Sequence, residues 1–191
     1  MRYEPAWKAA KEHIGEIGKI ISVVTTKQQA FNPRPEGAWV KKTGAMYELS
    51  IHDFDLIGFI TGSQPDKVLY AKLRHRFGWE AEDAFNIVAD CEGAFTANLQ
   101  GMYDISSTFC YRDLTMTFLG DNGYMRVERP DRIVIHTDTY RVIEINVEMP
   151  NTFALELADF KAACEGKINN PVDAEKAAGL TRFIEDARAY K

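Results

Sequence analysis

Cysteine is scarce in this sequence of 191 residues. The three cysteines, Cys91, Cys110 and Cys164, lie far apart, and none is spaced as C-x-x-C. Such an odd, scattered set argues against a disulfide framework and against a thiolate zinc site. We interpret all three as small buried hydrophobic residues, which is the commoner role of isolated cysteines.

Long hydrophobic runs are also missing. No apolar stretch approaches the roughly 20 residues that a membrane-spanning helix needs. The first residues, MRYEPAWKAAKEH, lack the basic and then apolar order of a secretory signal. We therefore expect a cytoplasmic protein that does not bind membranes.

Positive charge is not in excess, because 23 Lys and Arg residues face 28 Asp and Glu residues, giving a formal charge of −5. This balance argues against a nucleic-acid partner and favours a small or neutral ligand. The sequence has no G-x-G-x-x-G or P-loop and no G-x-S-x-G motif. It therefore shows no nucleotide-binding machinery of its own.

What the sequence does contain is enough apolar residues, 46% of the total, to form one core over residues 1–191. The periodicity predicts a helix over 4–14, a strand over 19–30, a loop over 31–44 and a helix over 44–62. Two helices close the chain from Asn151 onward. We predict an α+β domain with a large, mainly antiparallel, mixed sheet and helices on one face. Twofold alternation predicts the remaining strands at 67–77, 84–92, 94–101, 106–120, 124–128, 132–138 and 141–149.

Three polar residues interrupt the apolar helix 44–62, namely Glu48, His52 and Asp55. Spacings of four and three place them on one helical face, which points either to water or into a pocket. In a pocket, Glu48 would orient the His52 ring, and the ring would exchange a proton with a substrate hydroxyl. The alternative is that His52 bonds to a backbone carbonyl while both carboxylates are solvated. Metal binding is a weaker alternative, because no second histidine lies nearby.

The loop before this helix supplies further candidates. Trp39 and Lys42, with Asn32, Arg34 and Lys41, combine an indole and cations that suit a sugar or an acid. The alternative is an ordinary surface loop with solvated lysines.

The order of four segments resembles the C-terminal domain of the glucose-fructose oxidoreductase, inositol 2-dehydrogenase and MocA (Gfo/Idh/MocA) family. RYEPAWKAAKEHIGEIGKIISVV is similar to the family segment that follows its dinucleotide-binding domain. GAMYELSIHDFDLIGFITGSQPDKVLYA resembles the family's G-G-x-L-x-D/E-x-x-x-H-x-x-D region. FLGDNGYMRV is similar to the family's G-x-x-G hairpin, and FALELADFKAACEGKINNPVDAEKAAG to its closing helices. The resemblance covers nearly the whole chain.

The resemblance implies an NAD(P)-dependent sugar or polyol oxidoreductase. The family's catalytic histidine matches His52, Glu48 takes the position usually held by aspartate, and Asp55 matches the last acidic position, which is expected to be structural. Asp55 is kept with Trp39 and Lys42 as a candidate for substrate binding. Family members associate through the open sheet face, so the resemblance also implies a homodimer or a higher oligomer.

The sequence departs from the family pattern in two respects. The small pair at the head of the helix is Gly44-Ala45 rather than Gly-Gly, and the N-terminal half, with its Rossmann glycines and E-K-P lysine, is missing. We expect the chain to bind no cofactor alone and to need a nucleotide-binding half, which a separate Rossmann-domain chain would supply. The alternative is a non-catalytic sugar-binding or assembly module derived from this domain.

Overall fold

A large mixed sheet dominates the computed structural model, which describes residues 1–31, 39–104, 112–128, 131–146 and 148–191. Eight strands among these residues follow the order β2-β3-β4-β1-β5-β6-β7-β8. The strands are β1 (Ile20–Ala30), β2 (Lys67–Arg74), β3 (Ala84–Cys91), β4 (Phe95–Asp104), β5 (Arg112–Gly120), β6 (Gly123–Glu128), β7 (Arg132–His136) and β8 (Tyr140–Glu144). Only β1 and β4 pair in parallel, whereas the other neighbours are antiparallel. The predicted α+β fold with a mainly antiparallel sheet is confirmed.

The helices begin and end close to the predicted positions. They are α1 (Pro5–His13), α2 (Val40–Ala45), α3 (Ile51–Thr61), α4 (Thr152–Cys164) and α5 (Ala174–Ala189), with a short 3₁₀ turn at Ile14–Ile17 and a π-helical turn at Met46–Ser50. The predicted N-cap is confirmed, since the Asn151 side chain accepts a hydrogen bond from Ala154 N at 3.1 Å.

Two sequence predictions need correction in this region. The loop expected over 31–44 ends earlier, because α2 already begins at Val40, and the helix expected over 44–62 is not continuous. Gly44 has φ +80° and ψ 174°, which separates α2 from the helix that follows. Asn32 and Arg34 lie outside the described residues.

The core lies between the sheet and the helices. Trp7 of α1, Phe54 of α3 and Phe183 of α5 are almost completely buried in it. The centroid of the Phe54 ring lies 6.0 Å from that of Phe85 on β3 and 5.6 Å from that of Phe183, and both pairs are edge-on. Edge-on aromatic contacts of this kind stabilise a core beyond the area they bury. Phe54 therefore links α3, the helix that carries His52, to both the sheet and α5.

Strand pleating separates the core side of the sheet from its open side. On β4, Phe95, Ala97 and Leu99 are buried, while Thr96 and Asn98 are exposed, as the alternation predicts.

The cysteine prediction is correct for one residue and wrong for another. Cys91 is buried on β3, and Cys164 is exposed at the end of α4. The helix α4 buries none of its residues, so a small apolar side chain on it is not covered. Cys110 lies outside the described residues.

Candidate active site

Two hydrogen bonds to Glu82 hold the backbone next to Gly44, where the helical segment that carries Glu48 and His52 begins. The backbone N–H of Ala45 donates to the Glu82 carbonyl at 2.8 Å, and Met46 N–H donates to Glu82 Oε1 at 2.9 Å. The Glu82 side chain is 1% exposed and forms an ion pair with Arg188 of α5 at 2.9 Å. A charged acceptor thus satisfies a backbone donor that the helix start leaves open.

A polar cavity of about 270 Å³ opens beside this helix, and we call it the Lys27 cavity. Strands β1 and β4 form one side of it, and the π-helical turn and α3 form the other. Its lining residues are Met1, Lys27, Gln29, Glu48, Leu49, His52 and Tyr103.

One of the lining residues, Lys27, belongs to a buried ion pair. Lys27 Nζ on β1 lies 3.2 Å from Asp53 Oδ1 on α3, and the two side chains are 3% and 1% exposed. Burying two charges is costly unless they are paired closely and hydrogen-bonded. The pair therefore places a cation at the cavity with little freedom to move.

Glu48 and His52 share the Lys27 cavity but do not contact each other directly. The described part of the chain shows no hydrogen bond between them, contrary to the predicted orientation of the ring by the carboxylate. The i, i+4 spacing assumes a regular α-helix, whereas Glu48 lies in the π-helical turn and His52 in α3, so the chain geometry changes between them.

The surroundings shift the pKa of both groups. Partial burial raises the pKa of Glu48, and the nearby Lys27 cation opposes this shift. His52 is accessible to solvent on one side, but burial on its other sides lowers its pKa, and Lys27 lowers it further. The imidazole is therefore unprotonated at neutral pH and can accept a proton.

A second cavity, of about 570 Å³, lies on the other side of His52, and we call it the α4 cavity. Arg2 makes a two-pronged ion pair there with Asp55, at 2.7 Å from Nε and 2.5 Å from Nη2. Tyr3 donates a hydrogen bond to Asp159 of α4 at 2.9 Å. The residues before α1 therefore tie α3 and α4 together around this cavity.

The structure brings some of the predicted site residues together and leaves others apart. Glu48 and His52 line the Lys27 cavity, and His52 and Asp55 line the α4 cavity. Trp39 and Lys42 lie on the exposed surface near the start of α2 and line neither cavity. Their role in substrate binding stays a prediction, as does that of Asp55, whose carboxylate is engaged by Arg2.

Sequence reasoning missed Lys27 and Tyr103, which both line the Lys27 cavity. Burial raises the pKa of Tyr103, so its hydroxyl stays protonated and available as a donor. The signal that could have found Lys27 is the run Val23, Thr25, Lys27 at every second position of β1, which puts a lysine on the side that faces the helices.

Comparison with protein families gives a match to the GFO/IDH/MocA C-terminal domain over residues 7–126. The chain belongs to this family. This match confirms the family resemblance of the sequence. It begins within α1 and ends within β6, so it includes every residue that lines the Lys27 cavity except Met1. A search of curated proteins finds no match.

Solved structures of oxidoreductases share the fold. An oxidoreductase from Thermotoga maritima is 26% identical with a TM-score of 0.80, and the alignment covers 98% of this chain and 58% of that one. An oxidoreductase from Agrobacterium radiobacter, solved in complex with NAD⁺, L-tartaric acid and magnesium, is 14% identical with a TM-score of 0.83 and coverages of 100% and 61%. UDP-N-acetylglucosamine 3-dehydrogenase from Acidithiobacillus ferrooxidans is 18% identical with a TM-score of 0.76 and coverages of 98% and 57%. This chain thus spans about three fifths of the length of each.

Within the described ranges, no group of three or more His, Cys, Asp or Glu side chains is arranged to hold a metal ion. None of the helices in that part of the chain has the length and apolar character needed to cross a bilayer.

Proposed function

We propose that this chain is the substrate-binding half of an NAD(P)-dependent sugar or polyol oxidoreductase, with His52 exchanging a proton with the substrate. The observation that carries the proposal is an accessible imidazole of lowered pKa in the wall of a polar cavity. At about 270 Å³ the cavity is smaller than the roughly 300–1,000 Å³ of sites for drug-sized ligands. This size favours a ligand on the scale of a single sugar ring.

In the oxidising direction, His52 would take the proton of the hydroxyl group at the reacting carbon, and in the reducing direction it would return it. Glu48 would act on the ligand rather than on the ring, because no hydrogen bond joins the two side chains. A carboxylate in this position can accept hydrogen bonds from sugar hydroxyls. Tyr103 would add a donor from β4.

The nucleotide would come from another part of the complete enzyme. Hydride transfer needs a bound nicotinamide, but the sequence has no glycine-rich turn that could hold a pyrophosphate. The residues of this chain therefore do not fit a dinucleotide. About two fifths of each similar structure lies outside the part that this chain covers, and the Agrobacterium radiobacter protein was solved with NAD⁺, which supports a nucleotide-binding half outside this sequence.

The open face of the sheet is our candidate for self-association into a homodimer. Large apolar side chains on it are exposed, and exposed apolar patches are typical of interfaces. These side chains are Val24, Leu119, Tyr140 and Val142.

A non-catalytic sugar-binding or assembly module is the second candidate function. Two observations favour it, namely the missing hydrogen bond between Glu48 and His52 and the exposed apolar side chains of α4, such as Phe153, Leu157 and Phe160. Such a module would associate with a partner without needing the acid–base properties of His52.

The proposal is tested by ligand binding to the isolated chain. Glycerol, D-glucose, myo-inositol and D-gluconate are screened by thermal shift and then by calorimetry, because a ligand that binds only the native state raises the melting temperature. We expect binding by one of them, and a loss of at least tenfold in affinity in His52→Gln. His75→Gln is the matched control, since His75 directly follows β2, is exposed, lines neither cavity and bonds to the Trp79 carbonyl at 3.3 Å.

The outcomes separate the two functions. Binding that His52→Gln leaves unchanged would favour the non-catalytic module. Absence of binding to the wild-type chain would refute the substrate-binding proposal itself. NAD⁺ or NADP⁺ is titrated in parallel, and micromolar binding by this chain would contradict the assignment of the nucleotide to another half.

A further inference from the structure

Lys27 occupies a position where lysine is unusual. It lies on β1, the strand between β4 and β5, on the side of the sheet that faces the helices. Its neighbours across the two ladders are Gly101 on β4 and Leu114 on β5. The space beside Gly101 is already filled, since a Cβ there would lie 2.5 Å from Phe85 Cε1 and 2.6 Å from Ser50 Oγ. Lysine is almost never fully buried unless it is paired, so its 3% exposure needs an explanation.

A purely structural role explains the pair poorly. Well-packed apolar residues in place of a buried ion pair are often as stable or more stable. The core contains many apolar side chains, including Val23 on the same strand as Lys27 and Phe54 next to Asp53 in sequence, so an apolar residue at the position of Lys27 would be compatible with its surroundings. Lys27 instead lines a cavity that it shares with Glu48 and His52. Charged groups kept in such places are candidates for function.

We propose that Lys27 is a further catalytic residue of this site. Its ammonium donates a hydrogen bond to the substrate oxygen whose proton His52 accepts, and it stabilises the negative charge that develops on that oxygen. Asp53 is a positioning residue, because its carboxylate fixes Nζ at the cavity wall. The inference rests on the proposed function and adds a residue to it.

The reaction balances with Lys27 keeping all its protons. In oxidation, the substrate O–H bond breaks and its proton goes to the imidazole of His52. A nucleotide-binding half, when present, would supply the oxidant, since its nicotinamide would accept the hydride that leaves as the C–H bond breaks and the C=O bond forms. A preorganised cation beside the oxygen lowers the barrier, because it needs no reorganisation when charge appears.

The charges around His52 agree with this role. Lys27 from β1, Asp55 on the same helix, Glu4 before α1 and the N-terminal amino group all act on the imidazole, and Glu48 lines the same cavity. Among these charges Lys27 has the largest effect, and it favours the unprotonated ring. In the proposed reaction Lys27 thus acts on both groups that exchange the proton, namely the His52 imidazole and the substrate oxygen.

The first test is the titration of the His52 ring by NMR, which needs neither ligand nor cofactor. Lys27→Met alone would leave the Asp53 carboxylate buried beside an apolar chain, so the double variant Lys27→Met with Asp53→Asn is used. Asp53→Asn alone keeps the ammonium and is the matched control. We expect the His52 pKa to be higher in the double variant than in the control. Equal values in the two variants would overturn the electrostatic part of the inference.

The second test measures the affinity for whichever of glycerol, D-glucose, myo-inositol and D-gluconate binds to the wild-type chain. A hydrogen bond from a charged donor predicts a loss of about tenfold or more in the double variant relative to Asp53→Asn. If the double variant does not fold, Lys27→Arg replaces it. This substitution keeps the charge but changes the donor geometry, so we expect a low His52 pKa together with weakened binding.

The outcomes distinguish this inference from the proposed function. Ligand binding by the wild-type chain that is lost in His52→Gln, but unchanged in the double variant or in Lys27→Arg, would refute the role of Lys27 alone. Absence of ligand binding by the wild-type chain would refute the proposed function and, with it, the catalytic role of Lys27.

Discussion

Replacing Gly44 with alanine should be one of the most destabilising single substitutions at the start of the helical segment that carries Glu48 and His52. Gly44 has φ +80°, in the left-handed region that residues with a Cβ rarely adopt. A Cβ at this position would lie 2.6 Å from the carboxyl carbon of Glu82. Since Glu82 is almost completely buried and held by Arg188 and Met46 N, it cannot move aside without losing a partner.

The magnitude follows from two contributions. With ψ at 174°, this backbone conformation is accessible essentially only to glycine and costs another residue about 2 kcal/mol. Displacing the carboxylate from one charged hydrogen bond costs about 1.5–3 kcal/mol more. We therefore expect Gly44→Ala to lower the free energy of unfolding by about 3–5 kcal/mol, a large part of the roughly 5–15 kcal/mol typical of a domain.

Urea unfolding followed by circular dichroism measures this change, and with a slope of about 2 kcal/mol per molar the midpoint should fall by roughly 1.5–2.5 M. Gly15→Ala is the matched control. Gly15 does not have a positive φ, and a Cβ there would meet no atom within 4 Å. We expect the control to stay within about 1 kcal/mol of the wild type. Equal stability of Gly44→Ala and Gly15→Ala would refute the assignment of the Glu82 contact and of the backbone constraint.

Three further predictions concern single groups. The His52 ring should titrate below its ordinary pKa of 6.5. The native state then binds fewer protons than the unfolded chain, so the free energy of unfolding should fall as the pH drops below about 6.5. His52→Gln should reduce this pH dependence. Cys164→Ser should remove a fast reaction with a thiol reagent, whereas Cys91→Ser should not, because Cys91 is buried and its pKa is raised to about 12. Arg2→Met should cost no more than about 1 kcal/mol at low salt and less at high salt, since the pair with Asp55 is partly exposed; a larger, salt-independent loss would contradict this.

Sequence periodicity was sufficient to predict the sheet and most helices because those patterns depend on near neighbours. The alternation of Phe95, Ala97 and Leu99 with polar residues, for example, needs only a pleated strand with one covered face. The family resemblance in turn identified His52 and Glu48, which the structure brings to one cavity.

The break at Gly44, between α2 and the helical segment that carries Glu48 and His52, could not be predicted in this way. It depends on Glu82, which lies 36 residues from Met46 in sequence, and on Arg188, which lies 106 residues from Glu82. A regular helix was the local expectation, and the i, i+4 pairing of Glu48 with His52 was inferred from it. The contacts made by Glu82 and the π-helical turn that follows change that spacing, so the pairing is absent while both residues still reach the cavity.

Lys27 shows how the fold turns an ordinary strand lysine into a buried one. Because successive side chains of a strand point to opposite faces, a lysine at the position of Thr26 or Gln28 would lie on the open side of the sheet. Only the register that puts Val23 and Thr25 in the core also directs Lys27 toward α3. Its partner Asp53 is 26 residues away and is one residue from His52, so one helix carries both the partner of the buried cation and the imidazole of the candidate site. An apolar residue in place of Lys27 would serve stability as well or better, and this comparison is the physical ground for our proposal that Lys27 has a chemical role.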